Sequence, residues 1–229
     1  MGQSLVLEEL SPALDWQSPT RVRAWSSSSI ELPADGTHYV LAYRGGSTIQ
    51  HLQRLQHLEH LPRASFPFDA GMFASVPGSF VIDGAANGGS GLVITHQGYR
   101  GVFQLGGPIE QHGRLRYIDG CTDSLLLGPP VLGDPCLNHL HIPAGTSQTT
   151  HFHPSVRVGI IIAGEGTCIT PSGDHPLRAG LAFMIPKGLT HSFCTRGSSL
   201  DVVVYHPDSD TGPTDEDHPM RNRTLLRAT

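Results

Sequence analysis

The stretch GTSQTTHFHPSVRVGIIIAGEGTCITPSGDHPLRAGLAFMIPKGLTHSFC, residues 145–194, decides the fold. In an extended chain alternate side chains share a face, so His151 and His153 project together while Phe152 points the other way. Residues 158–163 are a continuous apolar run of strand character. Gly164-Glu165-Gly166 reads as a tight hairpin turn and residues 167–170 as the strand returning antiparallel. A further strand over 182–185 ends at Pro186-Lys187-Gly188, a turn that starts the next strand at His191. This order predicts that His151, His153 and His191 converge inside one barrel. Neutral imidazole suits Fe(II), Zn, Ni, Cu and Mn, and a site built from three leaves coordination positions open to water, substrate or dioxygen. Taken alone, the HxH pair also fits two half-exposed strand residues.

Working outward, the rest of the chain agrees with a β protein. Among 229 residues there are 27 Gly, 18 Pro and only 15% charged side chains, a composition that favours short strands and frequent turns over long charged helices. From Leu115 to about Tyr205 turn signals recur so often that helices have almost no room. Residues 66–107 repeat the pattern in GMFASVPG, FVIDG, GLVITHQG and YRGVFQLGG, so a boundary is expected near Pro108 to Arg114. The expected division is a β domain over 1–112, a metal-binding barrel over 113–206 and a polar tail over 207–229, the tail being disordered or laid over a neighbouring subunit. One short helix is expected within IQHLQRLQHLEHL, where Ile49, Leu52, Leu55, Leu58 and Leu61 recur every three residues before Pro62. His51, His57 and His60 there do not reproduce the spacing of HExxH and are read as solvated surface.

Charge and cysteine usage exclude several function classes. The balance of 15 Lys+Arg against 20 Asp+Glu gives a net charge of −5, without a basic cluster to meet phosphate or anionic lipid. No run approaches the ~18–20 apolar residues of a membrane-spanning helix, and the first residues lack a secretory core, so the expectation is a cytoplasmic protein with neither nucleic acid nor membrane as partner. Cys121, Cys136, Cys168 and Cys194 form no CxxC pair and are expected as reduced, partly buried thiols.

The residues of the decisive stretch resemble the cupin superfamily. The first cupin motif runs glycine, five residues, HxH, three residues, glutamate, six residues, glycine; Gly145, His151, His153, Arg157 and Gly164 occupy those places, with Arg157 where the glutamate stands. The second runs glycine, five residues, proline, one residue, glycine, two residues, histidine, three residues, asparagine; Gly180, Pro186, Gly188, His191 and Thr195 fall in register, with Thr195 in place of asparagine. The resemblance implies an all-β jelly-roll barrel over roughly Leu115 to Tyr205. Gly71 and Pro77 repeat the spacing of Gly180 and Pro186, but the histidine position falls on Ile82, so the first half is expected to be a degenerate cupin without metal.

In most metal-binding cupins the glutamate is a ligand, so Arg157 removes glutamate ligation and leaves three histidines. Three-histidine ring-cleaving dioxygenases acting on gentisate or salicylate look similar at the level of motifs. The resemblance therefore implies a mononuclear metalloenzyme, foremost an Fe(II) dioxygenase acting on a small acidic substrate, aromatic or not. A non-redox lyase, isomerase or cyclase using Zn or Ni stands beside it, as does a small-molecule binding protein without catalysis. Arginine is a planar fork matched to carboxylate, so Arg157 facing the cavity would anchor the substrate; the alternative is an outward-facing or structural ion pair, for example with Asp201. His139 and His141, a second same-face pair, are candidates for a proton shuttle or a donor to the metal ligands, or for a structural role. Tyr205 and His206 are weaker candidates. A homodimer is the default assembly.

Overall fold

Glycine-punctuated runs of Val, Ile, Leu and Phe are too short and too regularly interrupted for helices, and they form strands almost throughout. The computed structural model describes residues 4–17, 20–51 and 65–209. In chain order the strands are β1 (Val6–Glu9), β2 (Asp15–Trp16), β3 (Arg21–Ser26), β4 (Ser29–Leu32), β5 (Gly36–His51), β6 (Ser65–Asp69), β7 (Phe73–Pro77), β8 (Phe80–Gln97) and β9 (Gln104–Gly106). They continue as β10 (Leu115–Arg116), β11 (Thr122–Leu127), β12 (Cys136–Ile142), β13 (Arg157–Thr170), β14 (Gly173–Arg178), β15 (Leu181–Ile185), β16 (Ser192–Cys194) and β17 (Leu200–His206).

Two antiparallel sheets result. One runs β2-β3-β8-β5-β7-β9, with β4 on β8 and β6 on β5; the other runs β1-β15-β13-β17-β12-β11-β10, with β14 and β16 on β13. The pairing repeats: β5 takes β6, β7 and β8 as β13 takes β14, β15 and β17. Each half is thus a curled jelly roll organised around one long bent strand. The last strand of the first sheet ends at Gly106 and the first from the second half starts at Leu115, but β1 crosses over and pairs with β15, so the chain's first strand completes the second sheet.

Period-two alternation sorts the apolar residues into three layers. Val158, Ile160, Val203 and Tyr205 of the second sheet pack against Tyr39, Leu41, Leu92 and Ile94 of the first. The intervening residues Ile161, Phe183, Val202 and Val204 face into the second barrel. Trp25, Val40, Phe68, Phe80 and Ile82 fill the first barrel with side chains. The same parity decides which residues can reach a cavity in the second barrel.

Two local expectations are corrected. Gly164-Glu165-Gly166 is not a hairpin turn: β13 runs through it, pairing with β15 and β17 before the glycines and with β14 and β16 after them. Gly164 has φ 75°, the β17 register shifts between Ile161 and Ala163, and the strand bends from one face of the barrel to the other. The hairpin comes later, between Thr170 and Gly173. Likewise Ile49 does not start a helix; it lies in β5, opposite Ile82 and Phe66, and is fully buried. Ladder pairing and burial override the threefold leucine pattern there, while the remainder of that stretch, with His57 and His60, lies outside the described residues, as does the tail from residue 210.

The bend can be tested. A Cβ on Gly164 would lie 1.8 Å from the Ser199 carbonyl oxygen, whereas one on Gly145, also left-handed at φ 76°, meets nothing within 4 Å. Gly164→Ala is expected to cost roughly 2–5 kcal/mol in urea unfolding, the sum of left-handed strain and steric overlap, and Gly145→Ala only about 1–2 kcal/mol. Equal losses would show that the close approach does not set the bend.

Candidate metal centre

The centre is assembled by backbone pairing. His151 and His191 form an isolated antiparallel bridge, with His151 N–H donating to His191 O at 2.9 Å and His191 N–H to His151 O at 2.8 Å. Gly188 N–H reaches His153 O at 2.9 Å and ties the third ligand segment to the same turn. Phe152 between the two histidines is 65% exposed, so the imidazoles of His151 and His153 turn inward together. Their ligand atoms and that of His191 lie within 4.8 Å of one another. Among the described residues no carboxylate or thiol joins this group.

Hydrogen bonds select the ring tautomers. His151 Nδ1 donates to Thr149 O at 2.8 Å and His191 Nδ1 to Leu189 O at 2.9 Å, which leaves the Nε2 lone pairs free. His191 Nε2 is buried with no hydrogen-bond partner. A buried acceptor aimed at two further imidazoles fits a divalent transition metal, and the backbone carbonyls supply the outer hydrogen bonds that such histidines require. Burial, then the Arg157 charge and the neighbouring imidazoles, push His153 down to about 3. His191 is also lowered, by burial first, with the Leu189 bond opposing. Both rings are therefore neutral at ordinary pH, the form that ligates.

The barrel is matched independently. Residues 138–207 match the cupin domain family model. This part of the chain is a cupin domain. Among solved structures, a cupin 2 conserved barrel domain protein from Leptotrichia buccalis aligns at TM-score 0.57 and 12% identity over 88% of each chain. The oxalate decarboxylase of Bacillus subtilis, a protein with Mn(II) centres, aligns at TM-score 0.54 and 10% identity over 92% of this chain and 79% of its own. The 11S globulin of Wrightia tinctoria aligns at TM-score 0.57 and 9% identity, over 95% and 88%. At such identities the likeness is one of fold. No curated protein matches the sequence.

The two departures from the cupin motifs have distinct consequences. Arg157 faces inward: it is 8% exposed and lines a cavity of about 280 Å³ together with His151, His153 and His191. Its Nη1 donates to Ser155 Oγ at 2.6 Å and Val156 O at 3.1 Å, which holds the guanidinium beside the imidazoles. Asp201 is engaged elsewhere. Thr195 is structural, its Oγ1 donating to Pro143 O at 2.5 Å and accepting from Thr146 N at 3.0 Å, which clamps the turn that leads to His151.

His139 and His141 do not line the cavity, which corrects the shuttle expectation. On β12 the cavity side carries Asn138 and Leu140, so the odd positions face the first sheet. His139 Nε2 and His141 Nδ1 both donate to Asp201 Oδ1, at 3.0 and 2.8 Å, and His112 Nδ1 meets His141 Nε2 at 3.2 Å. Burial pushes Asp201 up, but the two imidazole bonds outweigh it and hold the carboxyl below its ordinary value. This is a buried polar cluster that ties β12 to β17 on the side facing the first sheet. Tyr205 also faces the first sheet, donating to His96 Nδ1 at 2.6 Å.

Of the polar cavity residues, Arg116, Tyr117, Asp123 and Asn138 escaped the sequence reading, and His206 entered it only as a weak candidate. Burial, then Arg157 and His153, push His206 down to about 3. An unfolded chain protonates histidine near pH 6.5. Because His153 and His206 resist protonation when folded, the unfolded state binds more protons below that pH, and stability falls as pH is lowered from 6.5 toward about 3. The apoprotein's unfolding free energy should decline over this window, and His206→Leu should flatten the decline. An identical slope in that variant would locate the pH dependence elsewhere.

Proposed function

We propose that this chain is a mononuclear metal-dependent enzyme acting on a small carboxylic acid, and specifically an Fe(II)-dependent dioxygenase. The observation that carries the reading is one cavity in which three clustered imidazoles, two of them with Nε2 left free by an Nδ1 hydrogen bond, stand beside a buried arginine. His151, His153 and His191 would hold the metal. A bound Fe(II) would supply a redox centre with vacant faces for a two-point substrate and dioxygen.

The protein's own contribution is orientation and exclusion. Arg157 takes the substrate carboxylate through its planar fork, and its position beside His153 sets the acid group next to the ligands. Phe183, Ile185, Phe193 and Val204 make the surrounding wall apolar, so water has few partners there and electrostatic contacts gain strength. Apolar walls and a flat floor suit an aromatic acid.

A second reading is a non-redox lyase, isomerase or cyclase with Zn or Ni as Lewis acid, for which Mn-bearing oxalate decarboxylase offers a precedent in the same fold. The cation of Arg157 favours negative charge developing on a substrate oxygen in either case. Metal-free ligand binding, as a third reading, leaves the convergence of the three imidazoles without purpose. The partner is thus a diffusible small acid, and a homodimer remains the expected assembly. No helix among the described residues is long and apolar enough to cross a membrane.

Protein purified without a histidine tag should carry one divalent metal per chain by elemental analysis, lost in His191→Ala. Loaded with Fe(II), it should consume oxygen with at least one member of a panel of hydroxylated aromatic acids. Turnover of a carbonyl substrate by Zn or Ni protein, with no oxygen uptake by Fe(II) protein, would select the non-redox reading. Arg157→Lys should raise KM for the acid about 10- to 100-fold, the equivalent of a charged hydrogen bond worth ~1.5–3 kcal/mol, because lysine cannot form the fork. An unchanged KM would remove the anchor.

A further inference from the structure

On its β11 and β12 side, the cavity contains a polar pair that metal and Arg157 do not explain. Asn138 Nδ2 donates to Asp123 Oδ1 at 2.8 Å. Asn138 Oδ1 is buried and has no hydrogen-bond partner. Burial raises the Asp123 carboxyl above its ordinary value and the Asn138 bond opposes this; in its ionised form it only accepts, which turns the amide NH2 toward it and the oxygen away. Leaving a buried acceptor unmet is unfavourable, and the neighbouring lining residues Leu125, Leu140 and Val204 show that an apolar side chain is compatible with this wall. An asparagine held in one orientation by a partner, with its acceptor unmet, is the signature of a group waiting for a donor.

The strand register places this acceptor relative to Arg157. Asn138 lies beside Val204, Val204 beside Gly159 and Gly159 beside Phe183, one row across β12, β17, β13 and β15. Arg157 is the next residue on the same face of β13. With strands ~4.8 Å apart, the β12 and β13 backbones are separated by about 10 Å. The floor between them is Val204 and Gly159, and Gly159 keeps it flat, since a Cβ there would meet Phe183 Cζ at 2.8 Å. The volume of about 280 Å³ equals roughly nine water molecules at ~30 Å³ each, room for a small organic acid.

We propose that Asn138, oriented by Asp123, is the second anchor of this cavity and takes an O–H or N–H donor, so that the substrate is a small hydroxy or amino carboxylic acid. The inference rests on the carboxylate-binding metal site proposed above and narrows its substrate class. Donor and acceptor sit two strands apart along one wall, Arg157 reading the carboxylate and Asn138 Oδ1 the hydroxyl or amine, so the ligand is held in one orientation. Asn138 and Asp123 act here as positioning residues, with no chemical step assigned to them.

The test is calorimetric titration of Zn-loaded protein with matched acids, lactate against propionate and 3-hydroxybenzoate against benzoate. The hydroxylated member of at least one pair should bind tenfold or more tightly, and Asn138→Leu should bring the two within about threefold while keeping one Zn per chain and the affinity for the plain acid. Asn138→Ala, which removes the acceptor without adding bulk, gives the same readout should the leucine variant melt early. A preference that persists in both variants would overturn the proposal, because the metal would then be reading the hydroxyl. Plain and hydroxylated acids binding equally to the unmodified protein, with affinity that falls in Arg157→Lys, would also overturn it while leaving the carboxylate site intact. Failure of every acid to bind, or affinities indifferent to Arg157→Lys, would remove the carboxylate site itself and the proposal with it.

Discussion

The mutual backbone hydrogen bonds between His151 and His191 are the constraint from which the site is built. They join two stretches of chain forty residues apart and bring two imidazoles to one point before any metal is considered. The Nδ1 bonds to Thr149 and Leu189 then fix which nitrogen faces inward. A ligand set held this way loses little conformational freedom on binding an ion, because ring orientation is already determined by strand pairing rather than by the metal. The Thr195 clamp on Pro143 and Thr146 extends the same rigidity to the turn that delivers His151.

How much of this was legible in the sequence depended on whether a signal was local. The HxH pair, the strand at 181–185 and the turn before His191 all follow from alternation and turn chemistry within a few residues, and all appear where spacing places them. The misreadings share a different cause. Gly164-Glu165-Gly166 looks like a turn in isolation, yet the neighbours of β13 continue pairing past it, and only the approach of Ser199 shows that the glycine serves a bend. Ile49 carries a helical period in its own segment but is claimed by a ladder with Ile82.

Parity explains the misplaced histidines. His139 and His141 form an HxH pair as good, by spacing, as His151 and His153, and alternation guarantees that both share a face. Which face is a tertiary fact. On β12 the odd residues meet the first sheet and the even ones the barrel, so an unremarkable asparagine reaches the cavity while two histidines become a brace around Asp201. Arg157 was ambiguous for the same reason, and Ile161, Phe183 and Val204 on its face of the sheet settle it inward.

The two halves divide stability and chemistry between them. Gly71 and Gly180 both enter the strand that pairs with the long bent one, and each strand leads to the histidine position of the motif. In the second half that position is His191, at the rim of a hollow barrel; in the first it is Ile82, packed with Phe80 and Trp25 in a filled one. The hollow barrel retains buried acceptors such as His191 Nε2 and Asn138 Oδ1, each unfavourable by about 1–3 kcal/mol in the absence of a ligand. A cavity of that kind forgoes apolar contacts as well. The solid half offsets both losses through the shared layer of Tyr39, Leu41, Ile94, Val158, Ile160 and Tyr205. The filled first half is therefore the scaffold that lets its partner keep an unfilled, polar interior, and weakening that shared layer would loosen the histidine-lined cavity without touching a single residue that lines it.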